Sequence, residues 1–229
     1  MNETMITSVE NASTALLHKV FGWMFVGLIV SALTAMFVAA TPAVTNVVLG
    51  NQAVFFALII VELALVVGLT WAIARISATT AMALFLLYSF VSGLTLSVIV
   101  LVYTDASLAS TFVIAAGMFG IMAVYGYATH RDLSRLGSIM LMGLIGIILA
   151  GVVNIFLGSN GLDIAISAIA IIIFTALTAY DMQKIKAMGT MATDDDGRSK
   201  QAVFGALILY LDFINIFLNL LRFTGRRRN

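Results

Sequence analysis

Seven long apolar runs dominate the sequence, and each is long enough to cross a membrane as a single helix. The hydrocarbon core of a bilayer is about 30 Å thick, which takes about 20 helical residues. The runs occupy residues 20–40, 52–74, 79–102, 108–128, 137–157, 162–184 and 201–222. The gaps between them are too short to hold a domain outside the membrane. The chain is therefore predicted to be an all-α membrane protein, a bundle of seven transmembrane helices.

Composition excludes the main alternatives to a membrane protein. The chain is 62% hydrophobic and 10% charged, whereas a soluble domain is about 45–50% apolar and about 25% charged. A soluble enzyme and a disordered protein are therefore excluded. With no cysteine, the chain has no disulfide framework, thiolate nucleophile or zinc–thiolate site. A net charge of +1 argues against binding nucleic acid by bulk electrostatics.

The basic residues predict the orientation. The loops at 41–51, 103–107 and 158–163 contain no Lys or Arg. The other side carries Lys19, Arg75, Arg131, Arg135, Lys184, Lys186, Arg198 and Lys200. By the positive-inside rule, the N-terminus is cytoplasmic. This gives a cytoplasmic tail at 1–19, a membrane domain at 20–222 and a basic tail at 223–229.

Each end of the membrane domain allows two interpretations. The first run is too long, and too weakly basic at its start, for a cleaved signal peptide. A straight seventh helix puts Arg226, Arg227 and Arg228 on the side opposite to the other basic residues, whereas a re-entrant segment would not. Because no Pro or Gly lies between Ala206 and Thr224 to make the bend, a straight helix is predicted.

The last run carries a polar stripe. Asp212 lies near its centre, and an ionisable residue inside a span is a functional hypothesis by default. At 100° per residue, the stripe covers an arc of about 80°. Its members are Asp212, Asn215, Asn219 and Arg222. We expect this helix to lie inside the bundle, with the stripe either serving function or only holding helices together.

Asp181 ends the sixth run, and it suggests a function only if its side chain lies beside that of Asp212. Two carboxylates in a low-dielectric site cannot both ionise cheaply, so such a pair holds a proton. A pair of this kind is a proton sensor, a divalent-cation site or a catalytic dyad. The run boundaries place Asp212 about 10 Å deeper than Asp181. The gap closes if the seventh helix begins in water.

The second run contains Glu62, with no other charge within ten residues on either side. Glu62 is predicted to be either a cation site in mid-membrane or a neutral, hydrogen-bonded group. Arg75 closes the same run about 20 Å farther along, on roughly the opposite face. The two are therefore not a direct pair, and Arg75 is expected to extend towards the interface. The acidic segment 194–197 lacks the EF-hand pattern and is predicted to be a solvated loop.

Glycine spacing offers a weaker signal. Gly117 with Gly120, and Gly143 with Gly146, are spaced so that helices can approach closely. Glycine is also simply common in membrane helices.

Several stretches resemble one known family. They are SFVSGLTLS at 89–97, VYT at 102–104, GMFG at 117–120, TAYDMQKIK at 178–186 and GALILYLDFINIF at 205–217. They resemble the Bax inhibitor-1 family from about residue 20 to the end, and look most like its bacterial inner-membrane members. The resemblance implies a seven-helix bundle that encloses its last helix, and a pH-sensitive calcium leak. It also links eukaryotic members to suppression of cell death.

The resemblance also implies roles for particular residues. The family's proton-sensing aspartate pair, near the cytoplasmic mouth, falls on Asp181 and Asp212. Its second-span glutamate falls on Glu62 and its latching arginine on Arg75. The arginine near the end of its last helix falls on Arg222.

The function predicted from these features is a calcium leak path along the seventh helix, gated by the aspartate pair. Asn215, Asn219, Arg222 and Arg75 would line or gate the path. Glu62, Asp181 and Asp212 would bind calcium transiently. No resident cofactor and no nucleic-acid partner are expected. The partners are the lipid bilayer, calcium and protons.

Two other classes of function compete with this prediction. A non-transporting regulator would bind a membrane protease or another stress-response partner, and nothing in the sequence excludes it. A presenilin-type protease has Gly-x-Gly-Asp in its seventh span, which keeps the backbone open to substrate. Here the segment 209–212 reads Leu-Tyr-Leu-Asp. Bulky residues replace both glycines, so the protein is predicted not to be an enzyme.

Overall fold

A computed structural model describes residues 3–189 and 194–228, with side chains described from Asn11 onwards. The described residues form eight helices. They are α1 (Glu3–Ala40), α2 (Pro42–Val48), α3 (Gln52–Ala72), α4 (Ala78–Val102), α5 (Asp105–Ala128), α6 (Ser134–Leu157), α7 (Asn160–Met188) and α8 (Asp195–Thr224). Seven of these are long and apolar enough to cross a membrane. The prediction of an all-α, seven-span membrane protein is confirmed.

The helices begin and end close to the apolar runs, with two informative differences. α1 includes residues of the predicted tail, and α8 begins at Asp195 rather than at residue 201. Apolar runs mark only the part of a helix suited to lipid, whereas backbone hydrogen bonding continues into polar residues. Asp195 and Asp196 in the first turn of α8 also favour an early start, because negative charge stabilises a helix N-terminus.

Local capping explains where other helices begin. Pro42 follows the break at Thr41 and opens α2, a position where its missing N–H costs nothing. The side chain of Asn51 accepts hydrogen bonds from the backbone N–H groups of Ala53 and Val54 at the start of α3. Thr104 caps α5 in the same manner, through the N–H of Ser107.

Large apolar side chains on the helices are widely exposed. Trp71 is 85% exposed, Phe156 is 84% exposed and Ile155 is 78% exposed. Such exposure would be unfavourable in water and suits a surface that faces lipid tails. α8 differs from the other spans, because 61% of its apolar stretch is buried, compared with at most 39% in any other span. The expectation that the last helix is enclosed is confirmed.

The chain divides into two compact units. Among the described residues, unit 1 is drawn from 3–102, 185–189, 194–210 and Arg228, and unit 2 from Tyr103–Lys184 and Leu211–Arg227. α7 and α8 each contribute a segment to both units. In unit 1, α1 and α4 pack so closely that a Cβ atom on Gly93 would lie 2.6 Å from the Cβ atom of Thr34.

The closest helix approaches occur at glycines other than those singled out by their spacing. Gly117, Gly120 and Gly146 have no described atom within 4 Å of where a Cβ would lie. At Gly143 the nearest atom belongs to Ile173, at 3.0 Å. Sequence spacing therefore identifies glycines that permit close packing, whereas the facing helix decides which of them use it.

Candidate functional site

Asp212 is buried in unit 2, on the continuous helix α8. Asp212 is only 4% exposed, and its Oδ2 has no hydrogen-bond partner among the described residues. The next residue, Phe213, contacts Phe112 and Phe119 edge to face, with ring centroids 5.3 and 5.7 Å apart. A buried carboxylate oxygen without a partner is rare.

Asp181 lies on α7 and brings a second carboxylate to Asp212. The two side chains are close enough for their negative charges to interact. α8 begins at Asp195, ahead of its apolar run, as the depth argument from the sequence required. The structure therefore brings together the two aspartates that the sequence suggested as a pair.

Close packing of α7 against α5 and α6 positions Asp181. A Cβ atom on Gly126 of α5 would collide with the backbone of Ala179. On Gly137 of α6 it would lie 2.6 Å from the ring of Tyr180. Both contacts lie within two residues of Asp181, so this part of α7 has little freedom to shift.

Gln183 ties the same region of α7 to the connection between α5 and α6, and the sequence did not single it out. Its Oε1 accepts from the backbone N–H of Leu133 at 2.9 Å, and its Nε2 donates to the carbonyl of Arg131 at 2.9 Å. Both amide atoms are therefore used to fix the connection between α5 and α6. The only available signal was the position of Gln183, two residues after Asp181.

On the C-terminal side of Asp212, the residues of the polar stripe differ in the groups that they contact. Asn215 Nδ2 donates to the carbonyl of Leu211 at 2.8 Å, and Asn219 Nδ2 donates to that of Asn215 at 2.8 Å. These bonds lie within α8. Arg222 instead forms an ion pair with Asp163, in the first turn of α7, with Nη1 and Oδ1 3.2 Å apart. Asp163 lies where the loop predicted at 158–163 overlaps the sixth apolar run, and no sequence pattern pairs it with Arg222.

Glu62 belongs to unit 1 and accepts a hydrogen bond from an uncharged side chain. Its Oε1 accepts a hydrogen bond from the hydroxyl of Thr95 on α4 at 2.5 Å. Arg75 lies in the turn after α3, is exposed, and forms no ion pair with any described side chain. Among the residues that the structure describes, no three acidic or histidine side chains gather closely enough to hold a metal ion.

A cluster of hydroxyl groups also lies in unit 1, around Tyr210 of α8. The Tyr210 hydroxyl lies 2.7 Å from the Ser31 hydroxyl of α1 and 3.0 Å from the Ser92 hydroxyl of α4. The ring packs edge to face against Phe85 and Tyr88. The cluster fixes the rotation of α8 against α1 and α4, two residues before Asp212. In the sequence, Tyr210 stands out only as part of the family-like stretch at 205–217.

Seven apolar helices, with a buried carboxylate pair on the last two, define a multi-pass α-helical membrane protein. The model of the family described as inhibitor of apoptosis-promoting Bax1 matches residues 13–229. The chain belongs to this family, the Bax inhibitor-1 family.

Relatives support the assignment over nearly the whole chain. The inner membrane protein YbhL of Escherichia coli K12 is 50% identical over 212 residues, covering 92% of this chain and 91% of that protein. An uncharacterized protein of Borreliella burgdorferi is 48% identical, covering 93% and 92%. An uncharacterized membrane protein of Streptococcus pyogenes serotype M6 is 38% identical, covering 79% and 78%.

Proposed function

We propose that the protein is a pH-sensitive calcium leak channel of the bacterial inner membrane, gated by Asp181 and Asp212. The observation that carries the proposal is that these two carboxylates are close enough to interact, while Oδ2 of Asp212 is buried and has no hydrogen-bond partner among the described residues. A shared proton leaves the pair with one charge, and its loss leaves two charges that repel in a low-dielectric site. The repulsion would favour a second arrangement of α7 and α8.

Oxygen ligands along the spans suit calcium as the permeant ion. Calcium is a hard cation that binds carboxylate and carbonyl oxygens. In this proposal Glu62 supplies a carboxylate in mid-span, and Asn215 and Asn219 add amide oxygens along α8. Arg222, paired with Asp163, and the exposed Arg75 modulate entry. Calcium is cargo, and the proposal includes no resident cofactor and no enzymatic step.

Protonation of the pair has two opposing effects on calcium flux. It removes the repulsion that would open the path, and it also removes the charge that attracts the cation. The pH profile of the flux therefore measures which effect dominates. Replacing one aspartate by asparagine removes the repulsion and one of the two charges while keeping the shape of the side chain.

The test is calcium influx into liposomes that carry the purified protein, measured from pH 5 to 8. We expect a pH-dependent flux in the wild type that Asp212→Asn and Asp181→Asn flatten or shift. Asp132→Asn, in the loop before α6, is the matched control and should leave the profile unchanged. A folded wild-type protein that gives no flux above that of empty liposomes would overturn the proposal.

The second candidate function is a regulator that binds another membrane protein, such as a membrane protease, without transporting ions. The exposure of α6 favours it, since no residue in the apolar stretch of this helix is buried. Gly146 and Gly151 face open space, and small residues permit close helix contact in membranes. A protein of this kind would give no flux, and Gly146→Leu would weaken its capture of a membrane partner while Asp212→Asn would not.

A further inference from the structure

A cavity of about 80 Å³ lies in unit 1, where α1, the end of α7 and the start of α8 meet. Among the described residues, its polar lining consists of Lys19 from α1 and of Arg198 and Gln201 from α8. The other described lining residues are Ala12, Ala15, Leu16 and Gly189, none of which is polar. About 10–15 Å³ is enough for one water molecule, so the cavity admits a group of several heavy atoms.

The two cations in the lining are not neutralised by strong ion pairs. Lys19 is exposed and forms no ion pair with any described side chain. Arg198 lies 3.9 Å from Asp195, whose side chain is 98% exposed, and an exposed pair at this distance is weak. The neighbouring Lys200 differs, because Asp196 holds it at 3.0 Å. None of the described residues that line the cavity is acidic.

Gln201 supplies a second, independent observation. Its Oε1 is buried and has no hydrogen-bond partner among the described residues. A buried amide normally has partners, and Gln201 is one of the residues that line the cavity. The amide can turn to present either its oxygen or its two N–H groups, so it can donate to an anion held by the neighbouring cations.

We propose that this cavity binds a phosphate group, with Lys19 and Arg198 as the charged contacts and the Gln201 amide as a further donor. Arginine and lysine both bind phosphate oxygens, arginine through its planar fork and lysine as a compact charge. The group comes either from the headgroup of an anionic phospholipid or from a soluble phosphate. Because Lys19 lies on α1 and Arg198 on α8, binding joins the two helices. The proposal does not depend on calcium transport.

The experiment uses the full-length protein and separates the two sources. In the lipid arm, native mass spectrometry compares phosphatidylglycerol and phosphatidylcholine retained by protein taken from mixed vesicles. In the soluble arm, thermal unfolding in detergent is followed during a titration with inorganic phosphate, with sulfate and chloride as ionic-strength controls. The test variant is Lys19→Gln with Arg198→Gln. The control, Arg226→Gln with Arg227→Gln, removes the same charge at exposed positions beyond the other end of α8.

We expect the test variant to bind the phosphate group at least about tenfold more weakly, since a hydrogen bond to a charged group is worth about 1.5–3 kcal/mol. The control should bind like the wild type. A third variant that keeps both charges, Lys19→Arg with Arg198→Lys, should retain most of the wild-type binding. Preferential retention of phosphatidylglycerol identifies the lipid as the source, and specific stabilisation by inorganic phosphate identifies a soluble ligand. If neither probe distinguishes wild type from the test variant, while circular dichroism shows both folded, the proposal is wrong.

Discussion

The hydroxyl of Tyr210 on α8 lies 2.7 Å from the hydroxyl of Ser31 on α1. Both residues are almost fully buried, and the Tyr210 hydroxyl also donates to that of Ser92 at 3.0 Å. A phenol group in an apolar interior is favourable only when its O–H finds partners. The position of these partners therefore selects one rotation of α8 within unit 1.

Tyr210→Phe should destabilise the protein by about 0.6–1.5 kcal/mol, because it removes the hydroxyl while keeping the ring contacts. The free energy of unfolding in mixed micelles would measure the loss. Tyr125→Phe is the matched control, since Tyr125 is 43% exposed, and it should change the stability little. Equal effects of the two substitutions would mean that the hydroxyl cluster does not hold α8.

Gly137→Ala should destabilise the protein by about 1–3 kcal/mol, the usual cost of overpacking. The added methyl group would lie 2.6 Å from the ring of Tyr180 and would displace α7 next to Asp181. Gly120→Ala is the control on α5, since nothing lies within 4 Å of the new atom. It should be neutral or slightly stabilising, because alanine favours helix more than glycine does. Unfolding measured on both variants under one set of conditions checks the difference, and a neutral Gly137→Ala would contradict the packing.

Gln183→Leu should expose the backbone N–H of Leu133 to exchange, because Gln183 Oε1 is its acceptor. Hydrogen exchange of that amide in detergent micelles is the measurement, and we expect it to be about tenfold faster. The N–H of Ser134 provides an internal control, because it donates to Asp132 Oδ1 at 2.9 Å and does not depend on Gln183. Unchanged exchange at Leu133 would show that Gln183 does not fix the α5–α6 connection.

The loop before α6 should show a pH dependence of its own. The hydroxyl and backbone N–H of Ser134 donate to Asp132 and hold the pKa of its carboxyl below the ordinary value of 3.8. Since the folded-state pKa is lowered, the stabilisation is present above the ordinary value and is lost as the pH falls through the folded pKa. Ser134→Ala should raise the pKa of Asp132 towards 3.8, as measured by NMR titration of its carboxyl carbon. An unchanged titration would contradict the hydrogen bond from the Ser134 hydroxyl.

The sequence was informative wherever the signal is local. Apolar runs fixed the number of spans and their approximate limits, and helical periodicity placed Asp212 in a stripe on the most buried span. The cytoplasmic position of the N-terminus rests on the basic residues alone and stays a prediction, as do the roles of Glu62 and Arg75 in ion flow.

Partners across helices were decided only by the tertiary structure. Three contacts depend on the rotation and depth of one helix against the next. They are the hydrogen bond from Thr95 to Glu62, the ion pair of Asp163 with Arg222, and the contact of Gln183 with the α5–α6 connection. The same holds for Gly126 and Gly137, whose spacing was not singled out. Hydropathy and periodicity describe one helix at a time, whereas these contacts are set by the packing of side chains between helices, which no single segment encodes.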